Sequence, residues 1–336
     1  MAGFALCAAL PIVWLFGSSR ALDLVLPARG AGGGRNQRRA ERIRPWLFLA
    51  PSLGFLGLYL VYPALATIWF SLHDASGRAF VGTANHAWFW QDAPARRAVL
   101  NSCLWVLVAP ALTTAAGLGI AAMSQRVGWG GLARALIVLP TAISSVGAAV
   151  IWKFVYDYRP VGTTQTGILN AIVVWAGGTP QAWIIMPFWN SLALMAVLIW
   201  LHTGFAMIVL SAALRSIPAE TVAAAELDGL SGRQIFLHVQ VPQIQGAIRA
   251  VWAVLSLIAL KVFDIVLAMT NGQWNTEVLA SLMFGWMLRG GGDFGRGATV
   301  ATVLMAMAIP VAAWRLLALH RKSGQRRSGQ RGSGQR

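Results

Sequence analysis

Charged residues and cysteines are scarce in this sequence. Charged side chains make up 11% of its 336 residues, whereas a soluble domain carries about 25%. An ordinary soluble domain is therefore excluded, and 57% of the residues are hydrophobic. Cys7 and Cys103 lie in separate apolar stretches, so the cysteines offer no metal-ligand or redox spacing.

Several reactive patterns are also missing. The only lysines are Lys153, Lys261 and Lys322, and none follows a glycine in the pattern of a phosphate-binding P-loop. We therefore expect that this chain does not hydrolyse ATP. The five His and eleven acidic residues are scattered, without the cluster that a membrane enzyme would need.

Seven apolar segments are long enough to cross a bilayer as helices. About 20 apolar residues span the hydrocarbon core, and a helix satisfies its own backbone groups where water is absent. We predict an all-α polytopic membrane protein, in which residues 1–28 form an extra N-terminal helix. The predicted spans are 2–26, 46–72, 100–124, 134–155, 188–214, 247–268 and 297–319. A shorter apolar run at 277–288 predicts an interfacial or re-entrant helix.

The distribution of basic residues predicts the orientation. The net charge of +16 could suggest nucleic acid, but the arginines lie mainly between the apolar segments. If the basic linker 29–45 is cytoplasmic, inner connections hold 18 Lys and Arg residues and outer loops hold 7, which favours a cytoplasmic C-terminus. Residues 321–336 repeat Ser-Gly-Gln-Arg without apolar residues and predict a disordered basic tail, solvated or against anionic lipid headgroups.

The segment 215–246 is predicted to lie at the cytoplasmic face as helix, glycine turn and helix. Pro218 suits a first helical turn, and Glu220 in that turn complements the helix dipole. Gly229 can end the first helix in a left-handed conformation.

A second short helix is expected after that turn. Ser231 and Gln234 have the spacing of a capping box, and Pro242 is expected to stop the helix or to begin the next span. Thirty-two residues with good caps are many for a plain connection, although a plain connection is the alternative.

The same segment resembles the EAA signature of ABC import permeases: Glu-Ala-Ala, three residues, Gly, nine residues, then Ile-x-Leu-Pro. The spacing is kept from Ala223 through Gly229 to Pro242, with Ala223 in place of the first glutamate. In that family the loop docks into a cleft of the ATPase and transmits its closure. The resemblance assigns this coupling role to Pro218, Glu220, Ala223, Ala224, Ala225, Asp228, Gly229 and Pro242.

Further motifs extend the resemblance over nearly the whole chain. They lie at 59–63, 151–158, 261–264, 270–272 and 292–297, and they are similar to the maltose-type first permease, above all its α-glucoside branch. The resemblance implies a six-helix core within 46–320 in a bacterial inner membrane. It implies a second permease subunit, two ATPase subunits that use ATP and Mg²⁺, and an extracytoplasmic binding protein for an oligosaccharide. No cofactor or metal is expected in this chain.

The resemblance also implies where the sugar passes. Carried over by position, the lining residues are Leu201, His202 and Phe205 in one set and Leu255, Ile258, Ala259 and Val262 in the other. Phe205 could stack on a sugar ring, and His202 could bond a hydroxyl. Lys261 and Asp264 are ionisable residues within a predicted span, where such residues face a cavity or pair with each other; their spacing permits a pair.

A secondary carrier driven by an ion gradient is the main alternative. It should show inverted halves and broken helices with paired polar sites. The sequence shows no convincing internal repeat, and a carrier would leave the segment 215–246 unexplained.

Overall fold

The computed structural model describes residues 2–26, 33–124, 130–289 and 292–310, and these are almost entirely helical. One isolated antiparallel bridge, between His73 and Phe80, is the β pairing found among them. The described residues form helices α1 Ala2–Val25, α2 33–71, α3 Ala84–Gln91, α4 Ala93–Ser124, α5 Gly130–Ala142, α6 Ser145–Val155, α7 Ile168–Trp175, α8 Trp189–Arg215, α9 Ala219–Leu227, α10 Gly232–Gln243, α11 Gln245–Leu260, α12 Asp264–Met269, α13 Leu279–Arg289 and α14 Phe294–Pro310.

The predicted all-α membrane fold is confirmed. Among the described residues, three helical stretches are long and apolar enough to cross a membrane: Asn36–Ser71, Ala93–Ser124 and Trp189–Arg215. The count rises to five if two bent pairs, α5 with α6 and α10 with α11, are each taken as one span. The short apolar run at 277–288 is a helix as predicted, and it is too short to span.

The predicted continuous span 134–155 is wrong. The chain forms α5 and α6 instead, which are bent by 106° to each other. Pro140 lies in the tight last turn of α5, and Ser144 is extended, with ψ 148°. The Ser144 hydroxyl oxygen accepts a hydrogen bond from the Gly147 N–H at 3.1 Å, so it caps a new helix.

The predicted span 247–268 is also broken. Helix α11 ends at Leu260, and Lys261 is its C-terminal cap residue, with φ −95° and ψ 10°. Phe263 has non-helical angles, and α12 begins at Asp264. Lys261 therefore lies in the break and Asp264 in α12, and the spacing argument for a pair within one helix does not apply.

Two helices contain a π-helical turn just before a proline. In α2 the turn is Gly57–Val61 before Pro63, and in α10 it is Ile235–Gln240 before Pro242. In each case the residue before the proline donates its N–H to the carbonyl five residues earlier. Proline lacks an N–H and crowds the preceding turn, so the wider turn lets the helix continue. Pro242 therefore does not stop α10, which runs to Gln243 before the chain bends by 71°.

The chain divides into two compact units, Met1–Trp69 and Phe70–Arg336. In the first unit, Arg44 pairs with Asp23 at 2.7 Å, and the indole N–H of Trp14 donates to the Leu47 carbonyl. Helix α2 begins at Gly33, so the described part of the basic stretch 29–45 is helical.

The second unit is built around α4 and α8. A Cβ on Gly117 of α4 would lie 2.5 Å from the Cβ of Ala206 on α8, and such small residues let membrane helices approach closely. Trp105, Leu194 and Ile265 are buried in one cluster that joins α4, α8 and α12. Two further buried clusters centre on Leu210 with Leu255 and on Phe89 with Leu279 and Val300.

Some sequence predictions lie outside the described residues. These are the end of the last predicted span, 311–319, the basic tail 321–336 and part of the linker, 29–32. The described part of that last span is α14.

Candidate functional site

The first helix of segment 215–246 has well-formed ends. Pro218 is the N-terminal cap residue, one position before the predicted first turn, and Glu220 lies in that turn. At the other end Gly229 has φ 80°, and its N–H donates to the Glu226 carbonyl at 3.0 Å. The Leu230 N–H donates to the carbonyl five residues before it at 3.2 Å. These two bonds form a Schellman motif, as the glycine predicts.

The second helix begins at the predicted capping residues. The backbone N–H and the hydroxyl of Ser231 both donate to Oε1 of Gln234, each at 2.8 Å. Ile235 in this helix is buried. Ile244, directly after the helix, is buried in the cluster that contains Leu210 and Leu255, and Phe236 packs against that cluster. The two helices of the segment are therefore held in a defined arrangement.

Among the residues that the structure describes, α9 has one buried and one exposed face. Ala225 on the opposite face is buried, whereas Ala223 and Ala224 are exposed and Leu227 is 89% exposed. Glu220 lies on the same exposed face, one turn before Ala223. The exposed face of α9 is therefore a ridge of mostly small residues that begins with an acidic side chain.

A cavity of about 200 Å³ brings together several predicted substrate-path residues. His202 from α8 faces the break between α11 and α12, and the complete lining is Ser145, Leu198, His202, Ile258, Lys261, Val262, Phe263, Asp264 and Ile265. The other carried-over positions do not line it: Leu201, Leu255 and Ala259 are buried in the apolar core, and Phe205 packs against that core.

The polar groups of this cavity remain available to a ligand. Nδ1 of His202 lies 3.0 Å from the Leu198 carbonyl; because a carbonyl only accepts, Nδ1 donates and Nε2 of the neutral ring can accept. Lys261 and Asp264 are exposed and do not form an ion pair. Among the described residues, the ion pairs are Arg44–Asp23, Arg159–Asp157 and Arg296–Asp293.

Sequence reasoning did not identify an aromatic and cationic cluster that joins α3, α13 and α14. The Arg296 guanidinium lies 4.7 Å from the ring centroid of Trp88 and 5.0 Å from that of Trp286. The two rings are edge to face, 4.9 Å apart, and Arg296 also pairs with Asp293 at 3.5 Å. Cation–π contacts of this kind add to the packing. No local sequence spacing connects these residues.

The turn after α12 was also missed. Asn271, Trp274 and Asn275 have positive φ values of 56°, 52° and 64°. Side-chain amides hold the turn: Asn190 donates to the Trp274 carbonyl and Asn101 to the Asn275 carbonyl, each at 2.7 Å. The Asn-Gly pair at 271–272 is a turn signal. The side-chain amides that hold the turn are distant in sequence, so no local pattern indicates them.

Two loop carboxyl groups have shifted pKa values. Hydrogen bonds from backbone N–H groups, first that of Arg78, lower the pKa of Asp74. Burial raises the pKa of Glu277, and the positive charge of Arg289 partly opposes this. No group of His, Cys, Asp and Glu residues suited to a metal ion occurs in the part of the chain that the structure describes.

Comparison with known proteins gives consistent matches. The alpha-glucoside transport system permease protein AglF of Rhizobium meliloti is 54% identical over 327 residues, which cover 96% of each chain. The osmoprotective compounds uptake permease protein GgtC of Synechocystis is 42% identical, over 79% of this chain and 95% of that one. A chain of a bacterial alginate ABC transporter, solved with a periplasmic protein carrying an alginate pentasaccharide, matches with a TM-score of 0.70.

That structural likeness has 18% sequence identity and covers 83% of this chain and 94% of the other, so it concerns the fold. Residues 114–322 match the family described as binding-protein-dependent transport system inner membrane component. The match contains the segment 215–246 and the cavity at His202. The chain therefore belongs to this family of inner membrane components of binding-protein-dependent transport systems, as a permease subunit and not an enzyme.

Proposed function

We propose that this chain is one of two permease subunits of an ATP-driven importer of α-glucosidic oligosaccharides, such as maltose, sucrose or trehalose. The observation that carries the proposal is the 54% identity, over 96% of both chains, with a permease named for alpha-glucoside transport. The cavity at His202 supports it, because its donors and acceptors suit sugar hydroxyl groups.

The proposed mechanism is alternating access. A binding protein outside the membrane delivers the sugar to this chain and a second, homologous permease subunit. Closure of two ATPase subunits on ATP turns the spans outward-facing, and hydrolysis resets them. ATP and Mg²⁺ are bound by the ATPase, and this chain binds no cofactor.

The proposed organisation follows from the basic residues. Residues 1–28 are an extra membrane helix, 29–45 an inner basic linker, 46–320 the permease domain and 321–336 a basic tail. The chain lies in a bacterial inner membrane with its C-terminus in the cytoplasm, because most of the Lys and Arg residues outside the spans then lie inside.

Segment 215–246 is proposed to dock the ATPase. The exposed face of α9 offers Ala223, Ala224 and Leu227, and its small side chains allow a close approach to a groove. Ala223 stands where the family has glutamate, and the exposed Glu220, one turn earlier, supplies a carboxylate. Pro218 lies at the start of this ridge, and Asp228 and Gly229 lie at its end. Pro242 lies in α10, just before the bend between α10 and α11.

The sugar path is proposed to pass through the cavity at His202. Nε2 of His202 accepts a bond from a hydroxyl, Lys261 donates, and Asp264 accepts. Leu201 and Phe205 support the wall from behind on α8.

Uptake measured with and without the ATPase tests the function. Spheroplasts that make all subunits should accumulate labelled maltose in the presence of the binding protein, and an ionophore that collapses ion gradients at constant ATP should not abolish it. Undiminished uptake in membranes lacking the ATPase would refute the proposal in favour of a secondary carrier.

The docking role is tested at a single position. In Ala224→Trp the ring overfills the groove contact, which costs about 1–3 kcal/mol and weakens the complex about 5- to 150-fold. Ala224→Ser keeps the size and should retain the ATPase on copurification. If both variants copurify the ATPase equally, and thermal melting shows both folded, α9 is not the docking ridge.

A further inference from the structure

A second cavity, of about 530 Å³, lies beside the C-terminal end of α6. It falls within the range of about 300–1,000 Å³ that is usual for small-molecule sites, and it is larger than the cavity at His202. Its lining residues are Val150, Lys153, Phe154, Tyr156, Asp157, Tyr158, Ala182, Ile184 and Ile185.

The lining combines aromatic surface with separate donors and acceptors. Phe154 is 72% exposed and Tyr158 is 43% exposed. Tyr156 is buried and its hydroxyl donates to the Ala193 carbonyl at 3.0 Å, so it serves as a wall. The Tyr158 hydroxyl has no hydrogen-bond partner among the described residues, and Tyr158 is part of the cavity lining.

Two charged side chains complete the lining. Nζ of Lys153 donates to the Ala268 carbonyl at 3.2 Å, which leaves the other ammonium hydrogens for a ligand. The Asp157 carboxylate accepts from the Thr166 hydroxyl and lies 3.9 Å from the Arg159 guanidinium. A carboxylate has about four acceptor positions, so Asp157 can accept further bonds.

This chemistry matches a carbohydrate better than a lipid chain. Sugar rings have C–H faces that pack on aromatic rings and hydroxyl groups that both donate and accept. An acyl chain would fill the apolar part but would offer no partner to the remaining ammonium hydrogens of Lys153 or the remaining acceptor positions of Asp157.

The position of the cavity connects it to the proposed sugar path. Ser145 at the first turn of α6 lines the cavity at His202, and Phe154 near its last turn lines the larger cavity. Nine residues separate them, which is about 14 Å of helix. Helix α12 lies beside α6: Asp264 lines the smaller cavity, and the Ala268 carbonyl holds Lys153.

We propose that the cavity at Tyr158 is a carbohydrate-binding subsite that holds the oligosaccharide before it reaches the cavity at His202. This inference rests on the proposed transport function, which also places the end of α6 on the outer side of the membrane. Phe154 and Tyr158 stack on the sugar, Lys153 donates to a hydroxyl, and Asp157 accepts from one.

Protection of a single cysteine from labelling tests the subsite. In a background with Cys7→Ala and Cys103→Ala, Tyr158→Cys is placed in the assembled permease and ATPase in spheroplasts washed free of binding protein. A membrane-impermeant maleimide labels the cysteine with and without maltose. If maltose occupies the subsite, the labelling rate falls by a factor of 1 + [L]/Kd, where [L] is the maltose concentration; this factor is about eleven at ten times Kd. Mannitol at equal concentration should not slow the labelling.

Trp175→Cys is the matched control, because Trp175 is 88% exposed on α7 and does not line the cavity. Its labelling should not change with maltose, and Phe154→Cys should repeat the protection seen at Tyr158→Cys. The subsite is disproved if maltose slows neither cavity position, if it slows Trp175→Cys equally, or if Tyr158→Cys cannot be labelled from outside. ATP-dependent maltose uptake by the unlabelled parent, measured with binding protein, separates failure of the subsite from failure of the transport function.

Discussion

Gly117 lies at a close approach between α4 and α8. A Cβ there would lie 2.5 Å from the Ala206 Cβ and 2.9 Å from the Met207 nitrogen, whereas a Cβ on Gly119 would meet nothing within 4 Å. We expect Gly117→Ala to destabilise the protein by about 1–3 kcal/mol through overpacking. Gly119→Ala should be neutral or stabilising by up to about 1 kcal/mol, because alanine favours the helix. Equal melting temperatures of the two variants in detergent would contradict this contact.

Glu277 is a residue whose titration should affect stability. Its pKa is raised by burial from its usual 4.5, so the folded state binds the proton more tightly than the unfolded state does. The free energy of unfolding should therefore fall as pH rises from about 4.5 through the raised pKa, and stay level above it. Glu277→Gln should remove this decline.

Thermal melting at a series of pH values measures that difference. The melting temperature of Glu277→Gln relative to wild type should increase with pH above 4.5. Glu226→Gln is the control, because Glu226 is an exposed carboxylate on α9. A constant difference between Glu277→Gln and wild type across the series would show that burial of Glu277 has no such effect.

At the scale of single elements, Gly229 sets the end of α9. Its φ of 80° is strained for other residues, but a Cβ would meet nothing within 4 Å, so substitution tests the backbone alone. We expect Gly229→Ala to destabilise this end by about 1 kcal/mol and to lower ATP-driven uptake. Gly229→Asn should retain more activity, since asparagine tolerates this conformation. Uptake that is equal in the two variants would show that the left-handed turn is unimportant for coupling.

The C-terminal end of α9 and the start of α10 could be predicted from sequence, whereas the breaks in the spans could not. A cap is a local interaction: Gly229, Ser231 and Gln234 act within a few residues of each other, so their spacing is sufficient. The break between α11 and α12 at Lys261–Phe263 has no proline or glycine. Apolar composition alone therefore predicts one continuous span, whereas in the fold the segment after the break packs as a separate helix against α6 and α8.

At the scale of the whole molecule, the sequence indicated the family and part of the site. His202, Lys261 and Asp264 meet in one cavity although they come from two helices and a break. Phe205 and Leu255 do not join them, because position along a helix carried over from a family does not specify which side faces the cavity. The cavity at Tyr158 could not be predicted from the sequence alone, because it is formed where the end of α6 meets residues 182–185.

The orientation of the chain in the membrane decides both proposals, and it rests on 18 inner against 7 outer Lys and Arg residues. In the background without Cys7 and Cys103, we expect Trp175→Cys to react with an impermeant maleimide in intact spheroplasts. Asp228→Cys should react only after permeabilisation. If Asp228→Cys instead reacts from outside, α9 cannot meet a cytoplasmic ATPase and the cavity at Tyr158 faces the cytoplasm. Both consequences follow from an inverted orientation of the chain in the membrane. The labelling rates of Trp175→Cys and Asp228→Cys therefore test the coupling segment and the sugar subsite together.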